Sequence, residues 1–546
     1  MKVPTFPLAI VMTLASLPAP ARPPAADLVL LNGKIFTAVA DAPYVEALAV
    51  RGERIVAVGD SSAIGTLAGP GTRRIELGGH VVIPGLNDAH YHISVEPADL
   101  TLVRTEKMNP SWAEARAALA ARASETSAGT LLEMPIAARI FNDLSVNRDT
   151  LDELTADHGV ILVTLTGHAE IMNSAALVRA GVHEDTPDPV GGRFERDTTG
   201  RLTGVLREYA VLRADRNLAD ETSDQDAVRE LKETLGDAAH WGLTTIQDMS
   251  NVVEPGRMVR LLERMPTPIR IRIMRMPLTT PAGRDTREGR ALPPHPAPLI
   301  TVSGTKWLLD GVPLEFTLDP RGSHKDWRGG QFDDLVRELP LTFAESEMPA
   351  MLAEARRWND PLLLHVSGYP AAAAMVSAME ASGGERVWAA RRVRFEHGDG
   401  LLPDLIPRVK SLGIVVVQNP THFAVLGEDV LKVSQPVRTL LEAGIPVALG
   451  SDGRLNPYLN IMLAVLHPHQ HSEGITREQA VIAYTRTSAY AEFAEKDKGT
   501  LETGKLADLA VLSQDIFSVP LPELPKTTSL LTLVGGKVAY DAGALH

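Results

Sequence analysis

Cysteine is absent from all 546 residues of this chain. Thiolate metal ligands, cysteine nucleophiles and disulfide bonds are therefore excluded. Any metal site must be built from nitrogen and oxygen donors, and the chain offers 16 histidines and 68 acidic residues for that purpose.

Positive charge is also scarce. Lysine and arginine number 54 against 68 acidic residues, which gives a formal net charge of −14. A basic surface for nucleic acid is therefore not expected, and no nucleic-acid partner is predicted. With 44% hydrophobic residues the composition is globular, and the length allows a large core and more than one structural unit.

Hydrophobic runs long enough to cross a membrane are missing too. Residues 1–21 combine Lys2, the short apolar run FPLAIVMTLASL (6–17) and the small-residue pattern APA (19–21), as is typical of a cleaved signal peptide. The run is too short to span a bilayer comfortably. A disordered tail is the alternative. With cleavage near Arg22, the mature protein is expected to be periplasmic or secreted, with no membrane partner.

Short apolar runs recur along the chain, each followed by a turn and a helical pattern. The later runs are near-continuous, as expected of strands buried on both faces of a parallel sheet. Eight such units predict an α/β fold built on a (β/α)8 TIM barrel. The predicted strands are 80–88, 242–249, 269–276, 304–311, 361–368, 392–398, 413–420 and 446–452.

Two parts of the chain fall outside this repeat. The stretch at about 100–240 follows the first strand, is too long for one crossover, and is predicted to be an insertion with its own α/β structure. Both chain ends carry alternating or β-branched stretches with Asn-Gly and Gly-Gly turns, which predicts a small β-sandwich built from the two. The predicted boundaries are a signal peptide at 1–21, sandwich segments at 22–80 and 499–546, and the barrel with its insertion at 81–498.

Polar side chains end five of the predicted strands, and in such a barrel the chemistry lies at the carboxyl ends of the strands. Singly, each has an ordinary explanation as a hydrogen-bonded histidine, a salt-bridged lysine or a turn aspartate. Together, four imidazoles and a carboxylate suit zinc or a similar divalent ion. The residues are Asp88, His90 and His92 in IPGLNDAHYH (83–92), followed by Lys306, His365, His397 and Asp452.

The order of these motifs resembles the amidohydrolase superfamily, and within it the amidohydrolase-3 branch typified by YtcJ-like metal-dependent hydrolases and N-substituted formamide deformylase. The resemblance covers essentially the whole mature chain. A lone His-x-His motif would be weak evidence, but five strand-end sites in this order are specific. The stretches that carry the resemblance are IPGLNDAHYH, TGHAEIMNSAAL, GVLREYA, GTKWLLDG, FEHG, ALGSD and GTLETGKLADLAVL.

The resemblance implies a centre with one or two divalent metal ions. His90 and His92 would bind the more buried ion. His365 and His397 would bind the second ion. Asp452 would ligate the first ion and contact the attacking water. The family also commonly forms homodimers.

Lys306 has a special role in this implied centre. The resemblance implies that carbon dioxide converts it to a carbamate that bridges both ions. A free ammonium has no lone pair and repels cations, whereas a carbamate is an anionic oxygen ligand. An unmodified Lys306 paired with Asp310 is the structural alternative.

The implied reaction is attack of a metal-activated hydroxide on an amide-type carbonyl. Asp452 would take the proton of the water and pass it to the leaving amine. His168 would contact the substrate or stabilise the oxyanion, unless it only supports the insertion. Asn173 and Glu208 are further candidates for substrate contact. Asp88 lies deeper in its strand and is expected to orient the site without binding the ion.

Two local motifs depart from the family pattern. Relatives often carry Gly-Asp after the fifth-strand histidine and DG-x-x-G-S after the lysine, where this chain has HVSGYPA (365–371) and DGVPLEF (310–316). These differences alter the expected pocket around the ligands, so formamide deformylation itself is not predicted for this chain. The glycine-containing loop 319–334 is a predicted lid, whose Trp327 and Arg328 would contact an aromatic or acidic substrate group.

The expected function is metal-dependent hydrolysis of a non-peptide carbon–nitrogen bond in a small-molecule amide. N-acyl amino acids, N-substituted amides and dipeptide-like compounds are the expected substrates. One alternative is a cyclic amide, lactone or carbamate hydrolysed on the same centre. Another is an exported binding or regulatory protein that keeps the fold without turnover. The ligand-competent residues at all five strand ends argue against that last alternative.

Two features near the C-terminal end concern structure. TREQ (476–479) has the spacing of a capping box and predicts a helix that continues through Phe493. HPHQH (467–471) alternates three histidines, but it follows a predicted helix and precedes a polar turn. A solvated loop is therefore predicted there rather than a second metal site.

Overall fold

The computed structural model describes Met1 and residues 25–107, 109–312, 336–424, 435–468 and 470–545. The predicted signal peptide, apart from Met1, and the predicted lid lie outside these ranges. Within them, every helix is too short or too polar to serve as a membrane span.

Eight parallel strands form one sheet, each paired with the next in chain order. The last strand returns beside the first, where the Asp452 backbone N–H donates to the His90 carbonyl at 2.9 Å. This contact closes the barrel, so the predicted α/β barrel class is confirmed. The strands are Leu86–Tyr91, Leu243–Ser250, Arg270–Arg275, Ile300–Leu308, Leu362–Val366, Arg394–His397, Val415–Gln418 and Val447–Leu449.

The first predicted strand, 80–88, is wrong as a single element because it breaks at Gly85. Val81–Pro84 pairs with sandwich strands, and Leu86–Tyr91 is the first barrel strand. A Cβ on Gly85 would lie 2.2 Å from the Thr244 side chain, so only glycine fits at this crossing of two sheets. The barrel strand therefore includes His90 and ends just before His92.

Helices surround the barrel and bury the apolar sides of its strands in one large core. Local signals start several of them. For example, Asn456 accepts the Leu459 N–H at 3.0 Å and Pro457 takes the first helical position. The helices are Tyr209–Asp220, Asp224–His240, Pro255–Glu263, Glu347–Arg357, Tyr369–Ala381, Glu385–Trp388, Ile406–Ser411, Val437–Glu442, Pro457–Leu466, Arg477–Ile482 and Ser488–Ala491.

The segment between the first two barrel strands carries a six-stranded mixed sheet. Its strands are Leu100–Leu102, Leu131–Ile136, Gly159–Thr164, Ala169–Met172, Gly192–Arg196 and Leu202–Glu208. Its helices are Trp112–Glu125, Ala138–Phe141, Arg148–Leu154 and Ser174–Arg179. The next helix, Tyr209–Asp220, packs on this sheet and also reaches the barrel core, and so joins the two.

Both chain ends form the predicted sandwich, and its two sheets share one apolar core. The four-stranded sheet contains Ala26–Leu31, Ala47–Arg51, Arg54–Gly59 and Ala68–Glu76, with helix Ser61–Gly65 beside it. The six-stranded sheet contains Lys34–Phe36, Tyr44–Val45, Val81–Pro84, Leu509–Leu512, Ser529–Val534 and Lys537–Asp541.

The predicted capping box is confirmed. Thr476 accepts the Gln479 N–H at 3.1 Å, and the Gln479 side chain accepts the Thr476 N–H at 2.8 Å. The helix from Arg477 continues through one π-helical turn, 483–487, and ends at Ala491, two residues before the predicted end. The cap starts the element that packs against the first barrel strand.

Candidate metal centre

The imidazoles of His90 and His92 converge at the mouth of the barrel. The Nδ1 atom of His90 lies 2.7 Å from Oε2 of Glu396, and that of His92 lies 2.8 Å from Oδ1 of Asn251. Because each Nδ1 meets an acceptor, the hydrogen-bond network assigns the ring proton to Nδ1 and leaves a lone pair on Nε2. The two Nε2 atoms are 3.3 Å apart.

Asp452 brings a carboxylate to the same point from the loop after the last barrel strand. Its Oδ1 lies 3.4 Å from Nε2 of His92 and 3.7 Å from Nε2 of His90. Its Oδ2 lies 3.7 Å from Nε2 of both His397 and His422. Two donor sets therefore share this carboxylate: His90 with His92, and His397 with His422. In each set the ligand atoms lie within 4.8 Å of one another.

The electrostatics of this cluster suit a cation. Burial lowers the pKa of His90, His365 and His397, and it lowers the pKa of His92 to about 3. These rings are therefore neutral at neutral pH and have lone pairs to offer. Burial alone would raise the pKa of Asp452, but the surrounding imidazoles hold it well below its ordinary value. The donor set of neutral imidazoles and an ionised carboxylate fits zinc or a similar ion.

Lys306 lies fully inside the cluster. Its Nζ is 3.0 Å from Nε2 of His90, and burial lowers its pKa to about 8. A neutral amine, the form that reacts with carbon dioxide, is therefore accessible near neutral pH. The Asp310 carboxylate accepts the backbone N–H groups of Ser367 and Gly368 at 3.0 and 2.6 Å. It therefore has hydrogen-bond partners other than Lys306, with which the unmodified-lysine alternative would pair it.

His365 and His397 stand side by side with ring centroids 4.5 Å apart. Nε2 of His365 lies 3.3 Å from the Ser367 hydroxyl and 3.4 Å from the Gly311 carbonyl. His365 therefore borders the cluster without belonging to either donor set. The structure brings all six predicted metal ligands together, and it adds one further histidine to the donor set that contains His397 and Asp452.

That histidine is His422, which the sequence reasoning missed. It lies in the 3-10 helix Pro420–Ala424 directly after the seventh barrel strand, and its ring stacks on His397 with centroids 5.6 Å apart. Its Nε2 also lies 3.1 Å from the Asp452 carbonyl. The rule that located the other ligands, a polar side chain just after a strand, applies here too. The stretch QNPTH places the histidine four residues beyond Gln418, after the predicted strand 413–420 has ended.

A buried ion pair between Arg394 and Glu396 supports the cluster, and the sequence reasoning missed this pair as well. Arg394 donates to Glu396 at 2.9 Å, to Gln247 at 2.6 Å and to the Ala89 carbonyl at 2.6 Å. Burial would raise the pKa of Glu396, but Arg394 and then His90 lower it to about 2. The ionised Glu396 therefore orients the His90 ring.

Asp88 is fully buried next to the histidines in sequence, and its hydrogen bonds go to backbone and hydroxyl groups. Its Oδ1 accepts the backbone N–H groups of Ser451 at 2.9 Å and His90 at 3.2 Å, and its Oδ2 accepts the Ser451 hydroxyl. Burial raises the pKa of Asp88 to about 7. Asp88 thus ties the first and last barrel strands together beside the ligands, as an orienting residue would.

The insertion contributes His168 and Glu208 to the site. Nδ1 of His168 lies 2.7 Å from Oε2 of Glu208, and the His168 ring lies 4.6 Å from the His365 ring. A cavity of about 390 Å³ is lined by this pair and by most of the cluster, including His92, Lys306 and Asp452. A side chain from the insertion can therefore reach a molecule bound at the barrel mouth.

Other predicted residues are elsewhere. The Asn173 side chain accepts the N–H groups of Ala176 and Val160, at 3.0 and 2.9 Å, as a helix N-cap, and it does not line the cavity. This structural role corrects its prediction as a substrate contact. Trp327 and Arg328 lie outside the described residues.

The prediction of a solvated loop at HPHQH is wrong for His467. This residue caps a helix with φ of 38°, is buried, and places Nε2 2.9 Å from the Gln435 carbonyl. Its packing on Phe423, which adjoins His422, explains the burial. His471 is exposed, and His469 lies outside the described residues.

Comparison with known proteins gives a consistent result. Residues 73–540 match the sequence model of the Amidohydrolase family (Amidohydro_3). The chain is 28% identical to Protein LONG AFTER FAR-RED 3 of Arabidopsis thaliana, over 97% of this chain and 94% of that protein. It is 26% identical to N-substituted formamide deformylase of Arthrobacter pascens, over 85% of this chain and 89% of the enzyme.

Solved structures share the fold. An uncharacterized metal-dependent hydrolase from Pyrococcus horikoshii superposes with a TM-score of 0.66 at 19% identity, over 91% of this chain and 99% of the other. Atrazine chlorohydrolase from Arthrobacter aurescens, complexed with zinc, superposes with a TM-score of 0.52 at 17% identity, over 94% and 95%.

Proposed function

This chain belongs to the amidohydrolase family and has the fold of its metal-dependent hydrolases, and from that premise we propose that it hydrolyses an amide-type C–N bond of a small molecule. The observation that carries the proposal is the pair of donor sets that share Asp452 in one cavity. The deformylase relative, whose name describes an amide substrate, supports this choice of bond.

The residues present fit a resident divalent ion, and we take zinc as the ion. His90, His92 and Asp452 would hold one ion, and His397 and His422 would complete a second set with the same carboxylate. When bound, the ion would polarise the carbonyl and lower the pKa of water. Lys306, as a carbamate, would add an oxygen donor to this nitrogen-rich set.

Asp452 would handle the proton in this reaction. Its carboxylate is ionised in the resting state and faces the cavity, so it can accept a proton from the nucleophilic water. The same oxygen can then donate that proton to the departing amine nitrogen. The hydrogen bond from the Asp452 backbone N–H to the His90 carbonyl fixes the backbone that carries this carboxylate during both proton transfers.

His168 would orient the substrate from the insertion side. Glu208 accepts the Nδ1 proton of His168 and turns the rest of the ring toward the cavity. We assign His168, in the imidazolium form that pairs with the Glu208 carboxylate, to the carbonyl oxygen of the substrate, where the hydrogen bond donated by Nε2–H strengthens as negative charge develops.

Asp452→Asn tests this proposal, with the exposed Asp404→Asn as the matched control. Zinc-loaded proteins are assayed against a panel of N-acyl amino acids, N-substituted amides, cyclic amides, lactones and carbamates, with products identified by mass spectrometry. We expect amide turnover in the wild type and in the control, and a loss of about 10²–10⁴-fold in kcat in Asp452→Asn.

Elemental analysis of each protein separates loss of metal from loss of proton transfer. Turnover of lactones or carbamates without amides would replace the proposed bond with another one on the same centre. Near-wild-type turnover in Asp452→Asn would remove Asp452 from its role, and zinc binding without any turnover would favour the non-catalytic alternative.

A further inference from the structure

Three carboxylates of the insertion face one another beside the catalytic cavity, and we name them the acidic wall: Glu133, Glu170 and Asp215. Glu133 and Glu170 come from strands Leu131–Ile136 and Ala169–Met172, and Asp215 comes from helix Tyr209–Asp220. Glu133 and Asp215 line the same cavity as Asp452 and Lys306. The mechanism proposed above uses none of the three.

The described residues place no compensating cation beside the acidic wall. Among the described residues, the charges that act on Glu133 are Glu96 and Asp215, and those that act on Glu170 are Asp215 and Glu133. Glu170 is 3% exposed, and its Oε2 has no hydrogen-bond partner. Burial raises the pKa of Glu133 and of Asp215 to about 7, and burial together with the neighbouring Asp215 and Glu133 raises that of Glu170 well above its ordinary value. Glu170 shares a side-chain hydrogen bond with Asp215, so the described residues leave one buried acceptor of the wall, Oε2 of Glu170, without a donor, which is costly.

The spacing of these oxygens favours an organic cation over a metal ion. Among the described residues, three or more potential metal ligands come within 4.8 Å of one another only around Asp452. The oxygens of the acidic wall are thus too far apart for one small ion to bind all three. An alkylammonium or guanidinium group has several N–H donors pointing in different directions and can bridge such a spread.

The helix that carries Asp215 also sets its distance from the metal centre. Glu208, the residue that positions His168, precedes this helix, and Asp215 follows seven residues later, about 10 Å along the axis. One elongated molecule could therefore contact His168 at one end and the acidic wall at the other. The cavity of about 390 Å³ is large enough for such a molecule.

We propose that the acidic wall binds a cationic end group of the substrate, so that this enzyme acts on amides that carry an ammonium or guanidinium group at some distance from the amide bond. This specificity rests on the amide hydrolase function proposed above. A cation at the wall supplies the positive charge that its carboxylates lack among the described residues, together with N–H donors for Glu133 and Asp215 where they line the cavity, and a neutral chain of the same length supplies neither.

Binding to metal-depleted protein tests the acidic wall independently of catalysis. Isothermal titration calorimetry at pH 8 compares N-acetyl-1,6-diaminohexane, which is cationic, with N-hexylacetamide, its neutral counterpart. We expect the wild type to bind the cationic probe about tenfold more tightly or better. The preference should be lost in Glu133→Gln/Asp215→Asn, reduced in each single variant, and kept in Asp220→Asn, which changes an exposed carboxylate on the same helix.

The outcomes separate the two proposals. Equal binding of both probes to the wild type, or a preference that survives in the double variant, would overturn the cation site. If the zinc-loaded wild type hydrolyses neither probe while the metal-depleted protein prefers the cationic one, the cation site stands and the amidase function fails for these amides. Hydrolysis of both probes with equal kcat/KM would support the amidase and overturn the specificity. Circular dichroism confirms that each variant is folded.

Discussion

The catalytic cavity has two acidic regions whose carboxylates differ in their surroundings. At the metal centre, Asp452 lies among imidazoles and Glu396 is paired with Arg394, and the pKa of both carboxylates is lowered despite burial. In the acidic wall, the described groups that act on Glu133 and Asp215 are other carboxyl groups, and burial raises the pKa of both to about 7. The carboxylate charge of the metal centre is thus balanced by groups of the chain, whereas among the described residues that of the acidic wall is not.

This difference separates two ways in which a protein uses buried charge. A balanced pair such as Arg394 and Glu396 fixes the positions of the side chains around it. Removing either member leaves the other as an uncompensated charge in the protein interior. An unbalanced cluster of carboxylates makes the folded chain less stable, and binding of protons or of a cationic ligand offsets this loss. The same chemical change, carboxylate to amide, should therefore have opposite effects on stability in the two regions.

The largest effect is expected from Glu396→Gln. It removes the charge that offsets the buried Arg394 and the acceptor that orients His90, so the free energy of unfolding should fall by about 3–5 kcal/mol. Urea unfolding followed by tryptophan fluorescence measures this loss. The exposed pair between Glu380 and Arg408 supplies the control, since Glu380→Gln should cost less than about 1 kcal/mol. Equal losses in the two variants would remove the distinction between the regions.

The second prediction concerns His422→Asn, which removes one donor from the balanced region. The apparent zinc affinity of the set that contains His397 should fall about 10–100-fold, while the set that contains His90 and His92 is kept. Competition with a chelator gives the affinity, and elemental analysis gives the stoichiometry. The exposed His471→Asn is the matched control. Unchanged zinc binding in His422→Asn would show that this histidine is not a ligand.

The smallest effect, of opposite sign, is expected from Asp215→Asn in the acidic wall. Because the pKa of Asp215 is higher in the folded state, the folded chain binds more protons and loses stability as pH rises from about 4 to about 7. The amide removes this loss, so the variant should be more stable than the wild type by on the order of 1 kcal/mol at pH 8, and by less at pH 5. Unfolding midpoints at both pH values measure the difference, with Asp220→Asn as the control. A destabilised Asp215→Asn at pH 8 would contradict the unbalanced character of the wall.

Much of the balanced region could be predicted from the sequence, because its residues follow strands. Each barrel strand is a recognisable apolar run, and the side chain after it must lie at the same end of the barrel. This reasoning located His90, Lys306 and Asp452. It missed His422, which is separated from its strand by a short 3-10 helix. It also missed Arg394 and Glu396, which look like ordinary strand residues until the fold brings them beneath His90.

The acidic wall could not be predicted in this way. Its three carboxylates come from two strands and a helix, and only the pairing of these elements brings them together. The same limit explains the error at Gly85, where contact with Thr244 divides one apolar run between two sheets. Asn173 was misjudged because a helix cap and a substrate contact need the same type of side chain. Long-range packing decides such cases, and local patterns do not contain it.

The seam between the first and last barrel strands has a consequence for how the chain acquires its metal. Asp88 and Ser451, which bond across this seam, are 363 residues apart in sequence. Contacts between such distant residues form slowly, since the intervening chain must be ordered first. A nascent chain therefore contains His90 and His92 long before Asp452 has been synthesised, and two imidazoles without this carboxylate are an incomplete set of ligands for the proposed ion. At the metal site proposed above, tight retention of the ion would begin only when the last strand joins the first, and metal content would then measure the fraction of chains that have completed the barrel.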